Sequence, residues 1–231
     1  MPKTKKTTKL KLLSSHDEAG NVRTFVFETG GLKWIAGQYQ GYILPQAGKT
    51  EREYERWFTI ASAPGEKEIH ISTRVTESAF KQSLNALKPG EQIQAHTLGG
   101  DFTWEDEPSK PVVLIAGGIG VTPFRSMLIE RAAKGKHLNA TLLYFNRTDD
   151  IAFRKEFDSL AARHPEFSFV PIIGESITSE AILKRTTGSK TAAKFYLSGP
   201  EPMVEKIGNE LKKEAIELKQ DWFPGYDEKD Y

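Results

Sequence analysis

The apolar run at 112–115 and the segment AGGIGVTPFRSM at 116–127 constrain the fold more than any other feature of the sequence. A short continuous apolar run is typical of a strand buried on both faces, and the glycines that end it predict a tight turn into a helix. The segment differs from the dinucleotide-binding fingerprint, because Pro123 stands where that fingerprint has glycine or alanine. It predicts either a nucleotide-binding turn or a tight strand–helix turn without a ligand.

The turn has the chemistry of an anion site. Gly117, Gly118 and Gly120 leave no Cβ in the way of a ligand that approaches the backbone. We expect Thr122 to be the N-cap of the helix and Pro123 to be its first residue, where the missing N–H costs nothing. The free amides of the first helical turn would then point towards a phosphate.

After residue 111 the sequence alternates between apolar strands and helical stretches, which predicts a parallel sheet covered on both faces. The strands are expected at 112–116, 141–145, 167–173 and 194–199, and the helices at 123–134, 152–163, 179–184 and 201–219. Ligands bind such sheets in a crevice at the carboxyl ends of the strands.

The first half has short β-rich segments separated by glycine and proline turns. We expect strands at 22–29, 38–45, 56–62 and 68–75, and one helix at 77–87. This spacing favours a closed or nearly closed antiparallel barrel. The charged, proline-containing segment 105–111 is typical of a linker. The sequence therefore predicts a β + α/β protein: an N-terminal antiparallel β-barrel domain over 1–107, followed by a doubly wound parallel-sheet domain over 108–231.

Composition excludes several classes of function. The 32 Lys and Arg residues nearly balance the 31 Asp and Glu residues, so the net charge of +1 gives no electrostatic case for nucleic acid or membrane binding. The 231 residues include no cysteine, which excludes disulfides, a catalytic cysteine and cysteine-ligated iron–sulfur clusters. The five histidines lack metal-ligand spacing, so no metal site is expected. Because the basic N-terminus lacks the apolar core of a signal peptide, we expect a cytoplasmic protein without stable membrane insertion.

Four motifs in order resemble those of the ferredoxin–NADP reductase family of flavoproteins. They are RWFTIAS at 56–62, GGIGVTP at 117–123, FYLSGPEPM at 195–203 and DWFPGY at 221–226. The sequence departs from the family pattern at Phe58, where the family usually has tyrosine, at Ser198, where it has cysteine, and at Asp221, where it has glutamate. The family also has a barrel domain before an α/β domain, as expected here from the patterning.

The resemblance implies specific roles for the matched residues. Arg56 would bind a flavin phosphate, since its guanidinium offers a fork of donors. Thr59 would lie near flavin N5, and Ser198 near the reactive carbon of the nicotinamide. An aromatic residue of the C-terminal segment would either pack over the flavin or simply seal the sheet edge; the candidates are Trp222, Phe223, Tyr226 and the terminal Tyr231.

The implied catalytic residues are Thr59, Ser198 and Phe223. The implied flavin-binding residues are Arg56, Trp57, Phe58, Thr59, Ser62, Thr73, Arg74, Val75, Ser78, Ala79, Phe80 and Lys81. The implied nucleotide-side residues are Gly117, Gly118, Gly120, Thr122, Pro123, Asn146, Arg147, Gly199, Pro200 and Met203, with Tyr226 from the C-terminal segment.

Nucleotide choice depends on the end of the second strand of the α/β half. Arg147 there suits the 2′-phosphate of NADP, whereas Asp149 and Asp150 could favour the ribose of NAD. We expect FAD as the flavin, with FMN as an alternative, and NADP(H) in preference to NAD(H).

The resemblance implies a flavin-dependent oxidoreductase that passes electrons between NAD(P)H and a separate one-electron acceptor protein. Ferredoxin, flavodoxin or an oxygenase component are possible acceptors. One alternative is an FMN or FAD reductase component of an oxygenase system that uses NADH. A more remote alternative is a non-catalytic nucleotide-binding redox module, in which the flavin arginine or the glycine turn would be expected to have decayed.

Overall fold

The computed structural model describes residues 6–107, 110–186 and 193–223, and of Arg52 only the backbone. The chain divides into two compact units, each with its own hydrophobic core. The first unit contains Met1–Trp104 and Arg125–Glu130, and the second contains Glu105–Phe124 and Arg131–Tyr231.

The first unit is built on an antiparallel sheet of six strands. They are β1 (Thr8–Ala19), β2 (Val22–Phe27), β3 (Tyr39–Ile43), β4 (Glu55–Thr59), β5 (Ile69–Arg74) and β6 (Gln92–Gly99), with short helices α1 (Glu51–Tyr54) and α2 (Ala79–Ala86). The strand order is β4-β3-β6-β1-β2-β5. The amide of Ala61, just after β4, donates to the carbonyl of His70 in β5 at 2.9 Å, so the outer strands of the sheet meet. The sheet is a half-barrel, which confirms the expected architecture of this half.

Alternation along the strands places the core of this unit. In β5, Ile69 and Ile71 are fully buried and pair across the sheet with Phe27 and Phe25 of β2. Each such side chain contributes about 1.5–3 kcal/mol by leaving water. Phe58 of β4 joins the same core, so this strand is anchored on its inner face.

The second unit is built on a parallel sheet of five strands. They are β7 (Val112–Gly117), β8 (Ala140–Asn146), β9 (Phe167–Ile173), β10 (Lys194–Pro200) and β11 (Leu218–Phe223). The helices are α3 (Thr122–Ala133), α4 (Arg154–Arg163), α5 (Ser179–Lys184) and α6 (Glu201–Lys213), and residues 125–130 of α3 fall in the first unit. The strand order β11-β10-β7-β8-β9 confirms the expected doubly wound sheet.

The strand order of this sheet reverses between β7 and β10. The strands β8 and β9 lie on one side of β7, and the later strands β10 and β11 lie on its other side. The carboxyl ends of two strands that flank such a reversal form the crevice in which doubly wound sheets bind ligands. The two motifs that end β7 and β10 therefore lie at the edge where doubly wound sheets generally bind ligands.

The structure corrects the expected helix at 201–219. The helix α6 ends at Lys213, and residues 218–223 form the edge strand β11. Ala215 takes a left-handed conformation with φ of 58°, and the amides of Ala215 and Ile216 donate to Lys212 and Leu211. This termination is usually made by glycine. Because this position is alanine, no residue in the sequence indicated that the helix ends here.

Within the described residues, no helix is long and apolar enough to cross a membrane.

Candidate functional site

In the first unit, a hydrogen bond joins two of the predicted flavin-binding elements. Arg56 on β4 donates from Nη2 to the hydroxyl of Ser78, 3.4 Å away, and from Nη1 to the carbonyl of Glu55 at 2.7 Å. Ser78 precedes α2, and its side chain makes no capping hydrogen bond to that helix. A guanidinium is therefore held beside the first amides of a helix, and both groups favour an anion.

The aromatic residues of β4 divide between the two faces of the strand. The ring of Phe58 lies in the core with its centroid 5.8 Å from that of Phe80, whereas Trp57 is 45% exposed and contacts Tyr39 and His96. Because side chains alternate along a strand, Trp57 lies on the opposite face of β4 from Arg56 and Phe58. Phe80 is completely buried, so its side chain serves the core.

The two hydroxyls at the end of this motif have different environments. Thr59 is buried, and its Oγ1 has no hydrogen-bond partner within residues 6–107, 110–186 and 193–223. The hydroxyl of Ser62 donates to the carbonyl of Glu68 at 2.7 Å and accepts from the amide of His70 at 3.0 Å. Ser62 thus ties the chain after β4 to β5, whereas the oxygen of Thr59 is buried and takes no part in this connection.

The remaining predicted residues of this unit lie at the end of β5 and the start of α2. Thr73 is buried and donates to the carbonyl of Arg74 at 3.5 Å, while Arg74 and Val75 are partly exposed. Ala79 at the start of α2 is exposed, and Lys81 is buried. The hydroxyl of Thr73 is thus used locally, and the exposed start of α2 is the accessible part of this group.

Tyr42 is a candidate that the sequence did not indicate, since tyrosine in a β-rich segment is ordinary. It lies opposite Arg56 in the pairing of β3 with β4. Its side chain is fully buried, and its hydroxyl has no hydrogen-bond partner among the residues the structure describes. Burial raises the pKa of this phenol well above its usual value. Tyr42 therefore stays protonated at the position paired with Arg56.

In the second unit, the glycine turn differs from the expected capped helix. Residues Gly118–Val121 form a turn of 3₁₀ helix that runs directly into α3, and Gly118 has a φ of 52°, which favours glycine. Thr122 is already helical, and its hydroxyl donates to the carbonyl of Ile119 at 3.1 Å. The expectation that Thr122 is the N-cap and Pro123 the first helical residue is wrong, because helical winding begins four residues earlier.

Two glycines of the turn pack closely, Gly120 against the backbone of β10 and Gly117 against a side chain of α6. A Cβ on Gly120 would contact the backbone carbonyl of Ser198 and lie 2.6 Å from the Cα of Gly199. A Cβ on Gly117 would meet the sulfur of Met203, which also packs under Gly199. Met203 is thus a packing residue beneath the turn, and the glycines hold the turn against the end of β10.

Ser198 lies at this same edge of the sheet, in register with Ala116 of β7. It is completely buried, and its hydroxyl has no hydrogen-bond partner in the described part of the chain. Next to it, Pro200 pairs with Phe223 at the end of β11, and Phe223 is partly exposed. Tyr226 lies outside the described residues.

The predicted nucleotide-selecting residues follow β8. The side-chain amide nitrogen of Asn146 is buried without a hydrogen-bond partner among the described residues. The backbone carbonyl of Asn146 accepts from the amide of Gly174 at 2.8 Å. Arg147, Asp149 and Asp150 are exposed. Both signs of charge are therefore presented at the carboxyl end of β8. Within the described ranges, no group of three or more acidic or histidine side chains could hold a metal ion.

Comparisons with known proteins agree with this architecture. Residues 114–208 match the family model described as the oxidoreductase NAD-binding domain. The reductase component of phenol 2-monooxygenase from Pseudomonas sp. (strain CF600) is 28% identical over 185 residues, 74% of this chain and 51% of that protein. Ferredoxin–NADP reductase B from Sorangium cellulosum is 34% identical over 147 residues, 62% of this chain and 56% of that protein. The chain thus spans about half the length of these curated relatives.

The fold has a close match among solved structures. A ferredoxin NADP⁺ reductase from Neisseria gonorrhoeae, solved with bound FAD and NADP, superposes with a TM-score of 0.79 over 93% of this chain and 98% of that chain, at 16% identity. At this identity the match shows the fold. Within that fold, residues 114–208 are similar to the oxidoreductase NAD-binding domain.

Proposed function

We propose that the protein is a flavin-dependent reductase that takes hydride from a nicotinamide dinucleotide and passes electrons to an acceptor protein. The observation that carries this proposal is a buried hydroxyl without a partner among the described residues in each unit, on Thr59 and on Ser198. A buried unpaired hydroxyl costs about 1–3 kcal/mol, so it is retained where a ligand completes its hydrogen bonding. Both hydroxyls occur in the segments that resemble the cofactor-binding motifs of the family.

The residues of the first unit fit a flavin phosphate. Arg56 supplies a fixed positive fork, and Ser78 and the first amides of α2 supply further donors beside it. Thr59, three residues beyond Arg56, offers a hydroxyl for the ring system. When bound, the flavin supplies the capacity to accept a hydride and release electrons singly. The chain contributes binding, alignment and exclusion of water.

The residues of the second unit fit a dinucleotide. The turn at 118–121 lies where the strand order reverses, and its glycines allow a ligand to approach the backbone. Ser198 is fixed beside it by the sheet register, and its hydroxyl fills the position where the family has cysteine. This placement supports alignment of a nicotinamide as the main catalytic contribution of the unit.

NADPH is the proposed nucleotide, because Arg147 lies at the end of β8 where the adenosine ribose is expected. We expect Arg147→Gln to raise the KM for NADPH about tenfold by removing a charge-assisted hydrogen bond, with the KM for NADH unchanged. Steady-state kinetics with both nucleotides measures this. Arg154→Gln is the matched control, since Arg154 pairs with Asp158 on the exposed face of α4. Equal changes with both nucleotides would remove Arg147 from 2′-phosphate recognition.

The proposed acceptor is a separate one-electron carrier such as ferredoxin, flavodoxin or an oxygenase component. The similarity to the reductase component of phenol 2-monooxygenase favours the oxygenase component as a second candidate, with NADH as donor and FMN or FAD as flavin. A non-catalytic module is disfavoured, because Arg56, the glycine turn and the two hydroxyls are all in place.

The experiment that tests the proposed function is a visible spectrum of the purified protein. Flavin is added, and the spectrum is followed under anaerobic conditions with NADPH and then with NADH. The expected result is tight uptake of one flavin and bleaching by a nucleotide, and the faster nucleotide identifies the donor. Failure to bind FAD or FMN would leave the nucleotide-binding module as the better explanation.

A further inference from the structure

A network of side chains on α3 holds the chain just beyond Thr59. Residues 60–66 connect β4 towards β5 and contain only a short 3₁₀ turn at Pro64–Glu66. Within this connection, Ala61 and Ser62 are completely buried. Their carbonyls accept hydrogen bonds from side chains rather than from a neighbouring strand. Arg125 Nη1 donates to Ala61 O at 2.8 Å, and Ser126 Oγ donates to Ser62 O at 2.7 Å.

Arg125 is fixed by a second set of contacts. Its two terminal nitrogens donate to the two carboxylate oxygens of Glu66, each at 3.0 Å. Glu66 in turn accepts from the amide of Ala63 at 2.6 Å. The side chain of Arg125 is only 6% exposed. One guanidinium therefore bridges a carbonyl and a carboxylate of the same connection, which fixes the conformation of the backbone between them.

The carboxylate in this network is ionised. Burial by itself raises the pKa of Glu66, but the hydrogen bonds and charge of Arg125, with the Ala63 amide, hold that pKa below its usual value. A third anchor is Glu130, whose carboxylate accepts from the amide of Gly65 at 3.0 Å. The side chains of Arg125, Ser126 and Glu130 thus all form hydrogen bonds with the connection between β4 and β5.

These and other contacts help to fix the backbone on both sides of Thr59. On the β3 side, Thr59 pairs with Tyr39, and the next amide, that of Ile60, donates to the carbonyl of Gln38 at 3.0 Å. On its other side the backbone is held at Ala61 by Arg125. Thr59 is therefore clamped from both directions while its own hydroxyl remains without a partner among the described residues.

We infer that Arg125 is a positioning residue for the flavin: with Glu66 and Ser126 it sets the location of the Thr59 hydroxyl, and so the alignment of the ring that this hydroxyl contacts. This inference rests on the proposed function. It assigns a role to an arginine that lies outside both RWFTIAS and GGIGVTP.

The test compares Arg125→Gln with the unaltered protein, both loaded with flavin. We expect the rate of flavin reduction by nucleotide to fall between ten- and a hundredfold, since small misplacements of aligned groups cost about that much. The flavin absorption band and midpoint potential should also shift, with the flavin Kd within about threefold of the original. A purely structural arginine would lower the melting temperature and leave the spectrum and potential of the folded fraction unchanged.

Two further variants keep the inference testable. Ser126→Ala removes one hydrogen bond to Ser62 O and should shift the spectrum and the rate in the same direction, to a smaller extent. If Arg125→Gln does not fold, Ser126→Ala alone tests the positioning role. Arg131→Gln is the control, because Arg131 lies on the same helix but contacts Asp106 and the carbonyl of His137.

The possible outcomes separate this inference from the proposed function. If the unaltered protein takes up no flavin, the proposed function fails and this inference fails with it, before any variant is made. If the unaltered protein binds flavin while folded Arg125→Gln and Ser126→Ala keep its spectrum, potential and reduction rate, only the positioning role is overturned.

Discussion

Arg56→Ala should weaken flavin binding about ten- to a hundredfold. The substitution removes charge-assisted hydrogen bonds to the phosphate, which contribute about 1.5–3 kcal/mol in total. It also removes the hydrogen bond that the Ser78 hydroxyl accepts from Arg56 at 3.4 Å. Equilibrium titration of the apoprotein with flavin, followed by fluorescence quenching, measures the change in Kd.

Two controls make this result specific to the guanidinium. Arg56→Lys keeps a charge but loses the fork, so its affinity should lie between those of the alanine variant and the unaltered protein. Arg23→Ala removes another partly buried arginine of the same unit, one that donates to the hydroxyl of Ser15 at 2.9 Å, and should leave flavin affinity unchanged. If Arg56→Ala keeps the original Kd, Arg56 has no part in flavin binding.

The parts of the fold that the sequence predicted share one property: their apolar residues are regularly spaced. In β7 all six residues, 112–117, are buried, and in β5 the alternation of Ile69 and Ile71 is preserved in the structure. The missed strands lack that regularity. In β1, only three of twelve residues are buried (Leu10, Leu12 and Ala19), so its sequence is typical of a charged, solvent-exposed segment before the first strand.

β6 and β11 show the same limit. None of the residues of β11 is fully buried, because it is an edge strand, and it follows a helix whose apolar spacing continues past its end. In β6 the buried residues include His96, which pairs with Glu55 at 3.3 Å. A buried polar pair interrupts the hydrophobic pattern of β6, and β11 has no fully buried residues. Neither strand could therefore be predicted from hydrophobic periodicity.

The candidate site could be predicted only where backbone chemistry fixes residue type. Glycine at the turn that follows β7 is a position of that kind, whereas Arg56 near the start of β4 was indicated only by the resemblance of RWFTIAS to the family motif. The role inferred for Arg125 depends on residues about 60 positions away, Ala61 and Glu66. No local pattern encodes such a contact, even though Arg125 belongs to the segment AGGIGVTPFRSM that first indicated a nucleotide site.

Gly120→Ala tests that turn and should lower the free energy of unfolding by about 3 kcal/mol, the upper end of the cost of overpacking. The three atoms nearest to the added Cβ are all backbone atoms, the carbonyl carbon and oxygen of Ser198 and the Cα of Gly199, so rotation of a side chain cannot relieve the collision. The turn must shift away from β10, and nucleotide binding should weaken with it. Urea unfolding and nucleotide titration measure the two effects.

Two other glycine variants separate a backbone collision from the general effect of adding a methyl group. Gly117→Ala meets the flexible end of Met203, which can rotate away, so its cost should be clearly smaller than that of Gly120→Ala. In Gly99→Ala the new Cβ is 3.4 Å from the ring of Tyr39, an ordinary contact, and stability should change little. Equal losses for Gly120→Ala and Gly117→Ala would show that the turn can relax away from β10, and that close approach at Gly120 does not set the geometry of the nucleotide site.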